Sequence, residues 1–487
     1  MSSMAVMVGD RWHKTRSVKG TGEAKIGLGT GDPGAPQRGR AEGRPRAIWR
    51  HWQRIPVPGS RNDSQGGRPM KSRSALRRKV LVGLLFLAVA GLFPVVVRAQ
   101  PTLTVRVRCC LGQTIARALQ QGDERKPLVV VVAGTCSENV VIDRADVTLI
   151  ADPAGGMVNG PDPTADTIRV LADRVTIEGI TVMGGRTGIA GAGAGGLIVR
   201  NCLVQQTGLT GIALIQGGSG TIDGCTVQDN PGVGVVIGAA AGTVINSLIT
   251  QNGQSGIVVT DGGSGRIGLT ALNALAGNTI SNNGSNGVTL LLGSAAFLAG
   301  NTISGNGTNP ALGRVGIGVF NATAHIIGGN SITGNAGHGI AGRSASLVVG
   351  DPIFGLPIVN NINGNGTAGF GGGIFGFVGT SLLIRNATIS GNNGFGLILS
   401  LRSSAEISGN TIQNTIGPAP NGDGIRLVFG SGLFIDPPPA QPNTVVGNAG
   451  FGVNCTDGES SLVNTGLVVL GPPPNALGGV SVACTAF

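Results

Sequence analysis

Residues 278–306 read NTISNNGSNGVTLLLGSAAFLAGNTISGN, and this stretch decides the fold. It opens and closes on the same hexad, Asn-x-Ile-x-x-Asn, with starts 23 residues apart. Working outward, the pattern recurs as CLVQQT (202–207), CTVQDN (225–230) and SLITQN (247–252) on one side. On the other it recurs as NSITGN (330–335), NNINGN (360–365), ATISGN (387–392), NTIQNT (410–415) and NTVVGN (443–448). A divergent copy, ITVMGG, stands at 180–185. The third slot is Ile or Val in every one of the ten main copies, and the sixth is Asn in eight. A second segment follows most hexads and opens on Gly and an aliphatic residue, as in Gly287-Val288, Gly316-Ile317, Gly339-Ile340 and Gly424-Ile425.

Repeats of 22–33 residues with short alternating segments predict a solenoid of parallel strands. One such unit cannot bury its inner face alone; stacking units in register gives a continuous core, with strands about 4.8 Å apart. The Ile/Val slot becomes an internal aliphatic stack. The sixth-slot Asn residues, Asn283, Asn306, Asn335, Asn365 and Asn392 among them, are expected to take the left-handed turn conformation and to link their amides from coil to coil as a ladder. Variation in repeat length is expected in loops at one corner, since strands cannot change length without losing register. The fold class is therefore all-β, a right-handed parallel β-helix over residues 136–455. Residues 113–121 read as a short amphipathic capping helix with Ile115, Ala118 and Leu119 on one face, so 100–135 form an N-terminal cap and 456–487 a C-terminal tail.

Composition agrees: 87 Gly, no Tyr, 12% charged residues. The net charge of +11 is misleading. Before residue 100 there are 19 Lys and Arg against five acids; after it, 16 against 19. The basic excess sits in a leader, which excludes nucleic acid as a partner of the rest. Residues 70–99 have the form of a secretory signal peptide: Lys71, Arg73, Arg77, Arg78 and Lys79, then the uncharged run 80–97, then Val97-Arg98-Ala99. Cleavage after Ala99 is expected, with an uncleaved membrane anchor as the alternative. Residues 1–69 read as a basic low-complexity leader, or as an upstream segment ahead of a true start at Met70.

The opening segment, QTIARALQQGDERKPLVVVVAGTCSENVVIDRADVTLIAD (113–152), resembles the start of the pectate-lyase-like superfamily of parallel β-helix proteins. Gly134, Glu138, Asn139, Ile142, Val147, Thr148 and Leu149 carry the match, and the resemblance covers about 113–455. It implies the fold; its members include lyases, hydrolases, epimerases, esterases, adhesins and non-enzymes.

Seven Cys in an exported chain suggest disulfides with one thiol left over. Cys455 and Cys484 are expected to staple the tail, and Cys136 to pair with Cys109 or Cys110. Cys202 and Cys225 share the first hexad slot of successive coils, as a stacked thiol pair or a bond.

Candidates for chemistry are few. A Ca²⁺-dependent lyase needs clustered carboxylates, yet Asp229 and Asp261 are the only acids between 224 and 350; Asp223 and Asp229 lie near one turn. Gly337-His338-Gly339 and Asn421-Gly422-Asp423-Gly424-Ile425-Arg426 resemble polygalacturonase motifs. Their order is reversed, however, and the Asp pair between them is missing. His338 and Asp423 occupy one slot three hexads apart, near 14 Å. His338, Asp423 and Arg426 are thus slot residues first and catalytic candidates second, with His338 expected to face solvent. No metal or cofactor is expected. Sequons at Asn283, Asn306, Asn321, Asn365 and Asn386 arise largely from the repeat itself. The expected function is an exported solenoid, secreted, periplasmic or at the cell surface, that binds or scaffolds without catalysis. Polysaccharide or cell-envelope components are its expected partners. A polysaccharide-active enzyme and a glycan-binding adhesin are the alternatives.

Overall fold

The computed structural model describes residues 102–350, 359–369, 371–417, 421–436, 440–464, 468–469, 473–481 and 484–486. The expectations for 1–69 and for the signal segment 70–99 lie outside these residues. Among the described residues no helix is long and apolar enough to cross a membrane.

Nearly all strands pair in parallel with the strand one coil away, in two sheets. Among the described residues, one sheet stacks 14 strands, from Val140–Ile142 to Gly478–Val480, and the other holds 28. In the larger sheet, long strands at Leu103–Arg108, Leu128–Ser137 and Val147–Gly160 give way to two shorter strands per coil. One of these two is the hexad strand. Strands on both sides of 136–455 join the same stacks: Leu103–Arg108 pairs with Leu128–Ser137, and Gly478–Val480 with Phe451–Cys455.

The hexad register brings Ile280, Ile303 and Ile332 directly over one another. All three are fully buried, as are Val204, Val227, Ile249, Ile362 and Ile389. Two further stacks complete the interior: Ile257, Val288, Ile317 and Ile340 in the fourteen-stranded sheet, and Val244, Ile267, Leu298 and Ile326 beside the hexads. The three belong to one core, as a coil that buries its inner face only by stacking requires.

The turn chemistry differs from expectation. The left-handed residue is the fifth slot, not the sixth: Asp229, Gln251, Asn282 and Asn414 have φ of 53–56°, and Gly305, Gly334, Gly364 and Gly391 have 59–63°. The residue just before the first slot is left-handed too, as at Asn201, Gly224, Asn246, Gly300 and Gly409. Each left-handed residue bends the chain, so the side chain after it is buried. First and sixth slots therefore both hold buried Asn. The repeat-length variation also occupies two corners, not one. Residues 268–277 precede a hexad strand, whereas 305–316 follow one. Only the corner entering the second strand column keeps a short turn throughout, as at 292–294 and 321–322.

A five-residue helix, Ile115–Leu119, follows the first strand and buries Ile115, Ala118 and Leu119. Glu138 accepts from the N–H groups of Ile115 (2.6 Å) and Ala116 (3.1 Å) at the helix start, where a carboxylate satisfies unpaired donors. Arg144 donates to the carbonyls of Leu119, Gln121, Asp123 and Lys126 at 2.8–3.3 Å, holding the loop that leads into the next strand.

Candidate functional site

The sixth-slot ladder is continuous from Asn230 to Asn392. Each Nδ2 donates to the Oδ1 of the next coil's Asn, and each backbone N–H donates to that same Oδ1. Asn306 to Asn335 is 3.0 Å, Asn335 to Asn365 is 2.9 Å and Asn365 to Asn392 is 3.0 Å. Asn283, Asn306, Asn335, Asn365 and Asn392 have no exposed surface. Thr207 begins the row, and Thr415, Asn448 and Asn475 extend it. A second ladder runs through the first slot: Asn278 to Asn301 at 2.9 Å, Asn301 to Asn330 at 3.0 Å and Asn330 to Asn360 at 2.9 Å, with Asn410 and Asn443 further on. The first-slot Asn letters were its signal in the sequence. Of the five sequons with Gly or Ala in the middle, Asn283, Asn306 and Asn365 lie in the buried ladder, whereas Asn321 and Asn386 are exposed in turns.

Two disulfides join neighbouring coils at the two ends, Cys109–Cys136 and Cys455–Cys484, each with Cα atoms 4.9 Å apart. Cys109, not Cys110, takes Cys136; Cys110 is an exposed free thiol, and Cys202 and Cys225 are buried free thiols.

The catalytic candidates lie on the outer face of the fourteen-stranded sheet. Alternation sends Ile374, Leu397 and Ile425 inward and Phe375, Ile398 and Arg426 outward, in one register. Arg343, Phe377 and Ser400 form the next outward column. His338 stands before its strand and stacks on Phe375, ring centroids 4.8 Å apart; Phe375 in turn lies 5.4 Å from Phe377. Its ring is only partly exposed and its Nδ1 is buried. Burial lowers its pKa from 6.5 to about 4, since desolvation penalises the charged form. The imidazole is neutral at pH 7, and the expected solvent-facing His is in fact a packed one. Only the coil register reveals this contact.

Asp423 is wholly buried and committed. It accepts from Arg426 Nε (2.8 Å), from the Phe451 N–H (2.8 Å) and from Asn454 Nδ2 (2.9 Å). The Arg426 guanidinium lies over the Phe395 ring at 4.7 Å, a cation–π arrangement. Backbone bonds place His338, Gly372, Phe395 and Asp423 in successive coils of one column. Three coils separate the imidazole's position from the carboxylate's, about 14 Å, so the two make no hydrogen-bonded pair. The turn acids do not assemble either. Asp223 accepts from Asn246 at 2.9 Å and faces Arg200 at 3.7 Å, while Asp229 and Asp261 are exposed. Among the described residues no group of three or more His, Cys, Asp or Glu could hold a metal ion.

The family model described as right handed beta helix region matches residues 158–273 and 312–466, more than half of the chain. The chain belongs to this right-handed β-helix family. No curated protein matches it. Among solved structures, this β-helix is similar to the pectate lyase Pel9A (12% identity, 66% of this chain and 78% of that one, TM-score 0.39). It is similar also to the catalytic unit of a thermostable GH87 alpha-1,3-glucanase from Streptomyces thermodiastaticus strain HF3-3 (15% identity, 74% and 70%, TM-score 0.44). A third is the mannuronan C-5 epimerase AlgE6 A-module of Azotobacter vinelandii (13% identity, 76% and 92%, TM-score 0.35).

Proposed function

We propose that this β-helix is an exported, non-catalytic binding solenoid that holds a polysaccharide of the cell envelope or extracellular space against the outer face of its fourteen-stranded sheet. The observation that carries the reading is the fate of Asp423. A carboxylate already bound by Arg426, Asn454 and a backbone N–H is not available as a base or nucleophile, and the packed His338 stands three coils away. The same face supplies what binding needs. His338, Phe375 and Phe377 form a half-exposed aromatic row, and flat rings present apolar area at little entropic cost. Phenylalanine thus takes the part left open by the lack of Tyr. Two inter-coil disulfides favour an oxidising compartment, secreted, periplasmic or cell-surface, and the helix at 115–119 serves as the N-terminal cap.

The test is a panel of pectin, polygalacturonate and alginate, measured for both binding and turnover. Binding without product, weakened at least tenfold by Phe375→Ala or Phe377→Ala, supports the reading. Turnover by the wild type that disappears in His338→Ala or Asp423→Ala refutes it in favour of an enzyme.

A further inference from the structure

The first-slot ladder changes chemistry at its N-terminal end. The row that is Asn from Asn278 to Asn360, and again at Asn410 and Asn443 after Ala387, begins as Cys202, Cys225 and Ser247. The strands that follow the two cysteines pair Leu203 with Thr226, so the cysteines stack across one coil spacing, about 4.8 Å. That falls in the Cα range of disulfides and beside the 4.9 Å of this chain's two bonded pairs. Both thiols are about 1% exposed. Cys202 Sγ lies 3.3 Å from the Arg200 carbonyl oxygen and 3.5 Å from that of Ile177, and Cys225 Sγ 3.4 Å from that of Val199 and 3.5 Å from that of Asp223. Ladder bonding alone does not ask for cysteine, because Asn or Ser makes stronger bonds in the same slot.

We propose that Cys202 and Cys225 are a peroxide-reactive pair that closes a third inter-coil disulfide inside the tube. The two stacked thiols interact, and a hydrogen bond from Cys202 lowers the Cys225 pKa. Cys225 is assigned as the first nucleophile, an order that trapping of its sulfenic acid decides. Its thiolate attacks hydrogen peroxide; an S–O bond forms, the O–O bond breaks and hydroxide leaves, giving a sulfenic acid. The Cys202 sulfur then attacks the Cys225 sulfur. The S–S bond forms, the S–O bond breaks, and the departing hydroxide takes the Cys202 proton as water. In sum, two thiols are oxidised and one peroxide is reduced to two waters. An oxidant the size of water suits so closed a site, whereas a bulky disulfide does not.

The experiment uses the secreted chain carrying Cys110→Ser, which removes the exposed thiol. After hydrogen peroxide, denaturation and alkylation, the expected count of alkylatable thiols falls from two to zero. A non-reducing digest then shows a Cys202–Cys225 linked peptide pair 2 Da lighter than the two thiol peptides. Protein that already carries this link when isolated supports the inter-coil disulfide but overturns peroxide as its oxidant. Two alkylated thiols after peroxide, or Cys225 oxidised to sulfinic acid without a link, overturn the proposal. In a folded Cys202→Ser variant, Cys225 should halt as a sulfenic acid that dimedone traps. Failure to trap it, with circular dichroism unchanged, overturns the assigned order of attack.

Discussion

Asn335→Leu isolates one rung of the sixth-slot ladder, because Leu has the branched heavy-atom skeleton of Asn but carries no polar atom. Four bonds end at the Asn335 side chain. Its Nδ2 donates to Asn365 Oδ1 (2.9 Å) and to the Ile303 carbonyl (3.1 Å). Its Oδ1 accepts from the Asn306 N–H (3.1 Å) and Asn306 Nδ2 (3.0 Å). After substitution, Asn306 Nδ2 keeps the Ile280 carbonyl and Asn365 Oδ1 keeps the Asn335 N–H. The Asn306 N–H loses its acceptor inside the tube, at about 1–3 kcal/mol, and the three other lost bonds, Asn335 Nδ2 to Asn365 and to Ile303 and Asn306 Nδ2 to Asn335, add roughly 0.5–1.5 kcal/mol each. The sum is about 2.5–7.5 kcal/mol. A stack that touches only its neighbours need not unfold in one step, so the assay should be local. Hydrogen exchange at the Asn306 amide should accelerate about a thousandfold for about 4 kcal/mol, at roughly 1.4 kcal/mol per tenfold. Exchange and guanidinium midpoint both at wild-type values would refute the claim that the ladder holds the turn.

Other outcomes follow from the same contacts. Ile303→Asp places an unpaired charge between Ile280 and Ile332 in a fully buried stack, costing several kcal/mol; no folded protein should be recovered, and wild-type thermal stability would contradict the inward slot. His338 binds a proton less readily when folded (pKa about 4) than unfolded (6.5). Its contribution is therefore complete above about pH 6.5 and is lost as pH falls toward 4, by at most about 3 kcal/mol and less for a partly exposed ring; His338→Phe should flatten the stability–pH curve in that window, and an unchanged slope counts against the assignment. Asp423→Asn removes the carboxylate that pairs with Arg426, 11% of whose side chain is exposed, and should cost about 3–5 kcal/mol. A denaturation midpoint within error of wild type would show that the pair is not held as described.

The core was legible in the sequence because its signal is periodic: Ile280, Ile303 and Ile332 sit in one slot of one hexad, and burial in a stack demands one residue class there. The end staples were legible for a similar reason, since few cysteines stand one coil apart. The fifth-slot turn was hidden because unlike residues fill it. Asp229, Gln251, Asn282 and Gly305 share only a positive φ, and that belongs to the backbone rather than to a residue type. The surroundings of His338 were hidden by distance along the chain. Phe375 is 37 residues away and comes beside it only once the register and an intervening loop are fixed. The engagement of Asp423 by Asn454 depends in the same way on a neighbouring coil.

The placement of the two disulfides bears on how this molecule comes apart. In a one-dimensional stack, the terminal coil has a neighbour on one side only, so melting by unpeeling starts there and advances coil by coil. Cys109–Cys136 clamps the first coils and Cys455–Cys484 the last, blocking both cheap routes. What remains is rupture in the interior, which must break two coil faces at once. Such a tube should survive long exposure to heat or protease and then fail abruptly, with a lifetime set by the rate of that rupture rather than by equilibrium stability. Reduction of the end clamps would turn the abrupt failure into gradual unravelling.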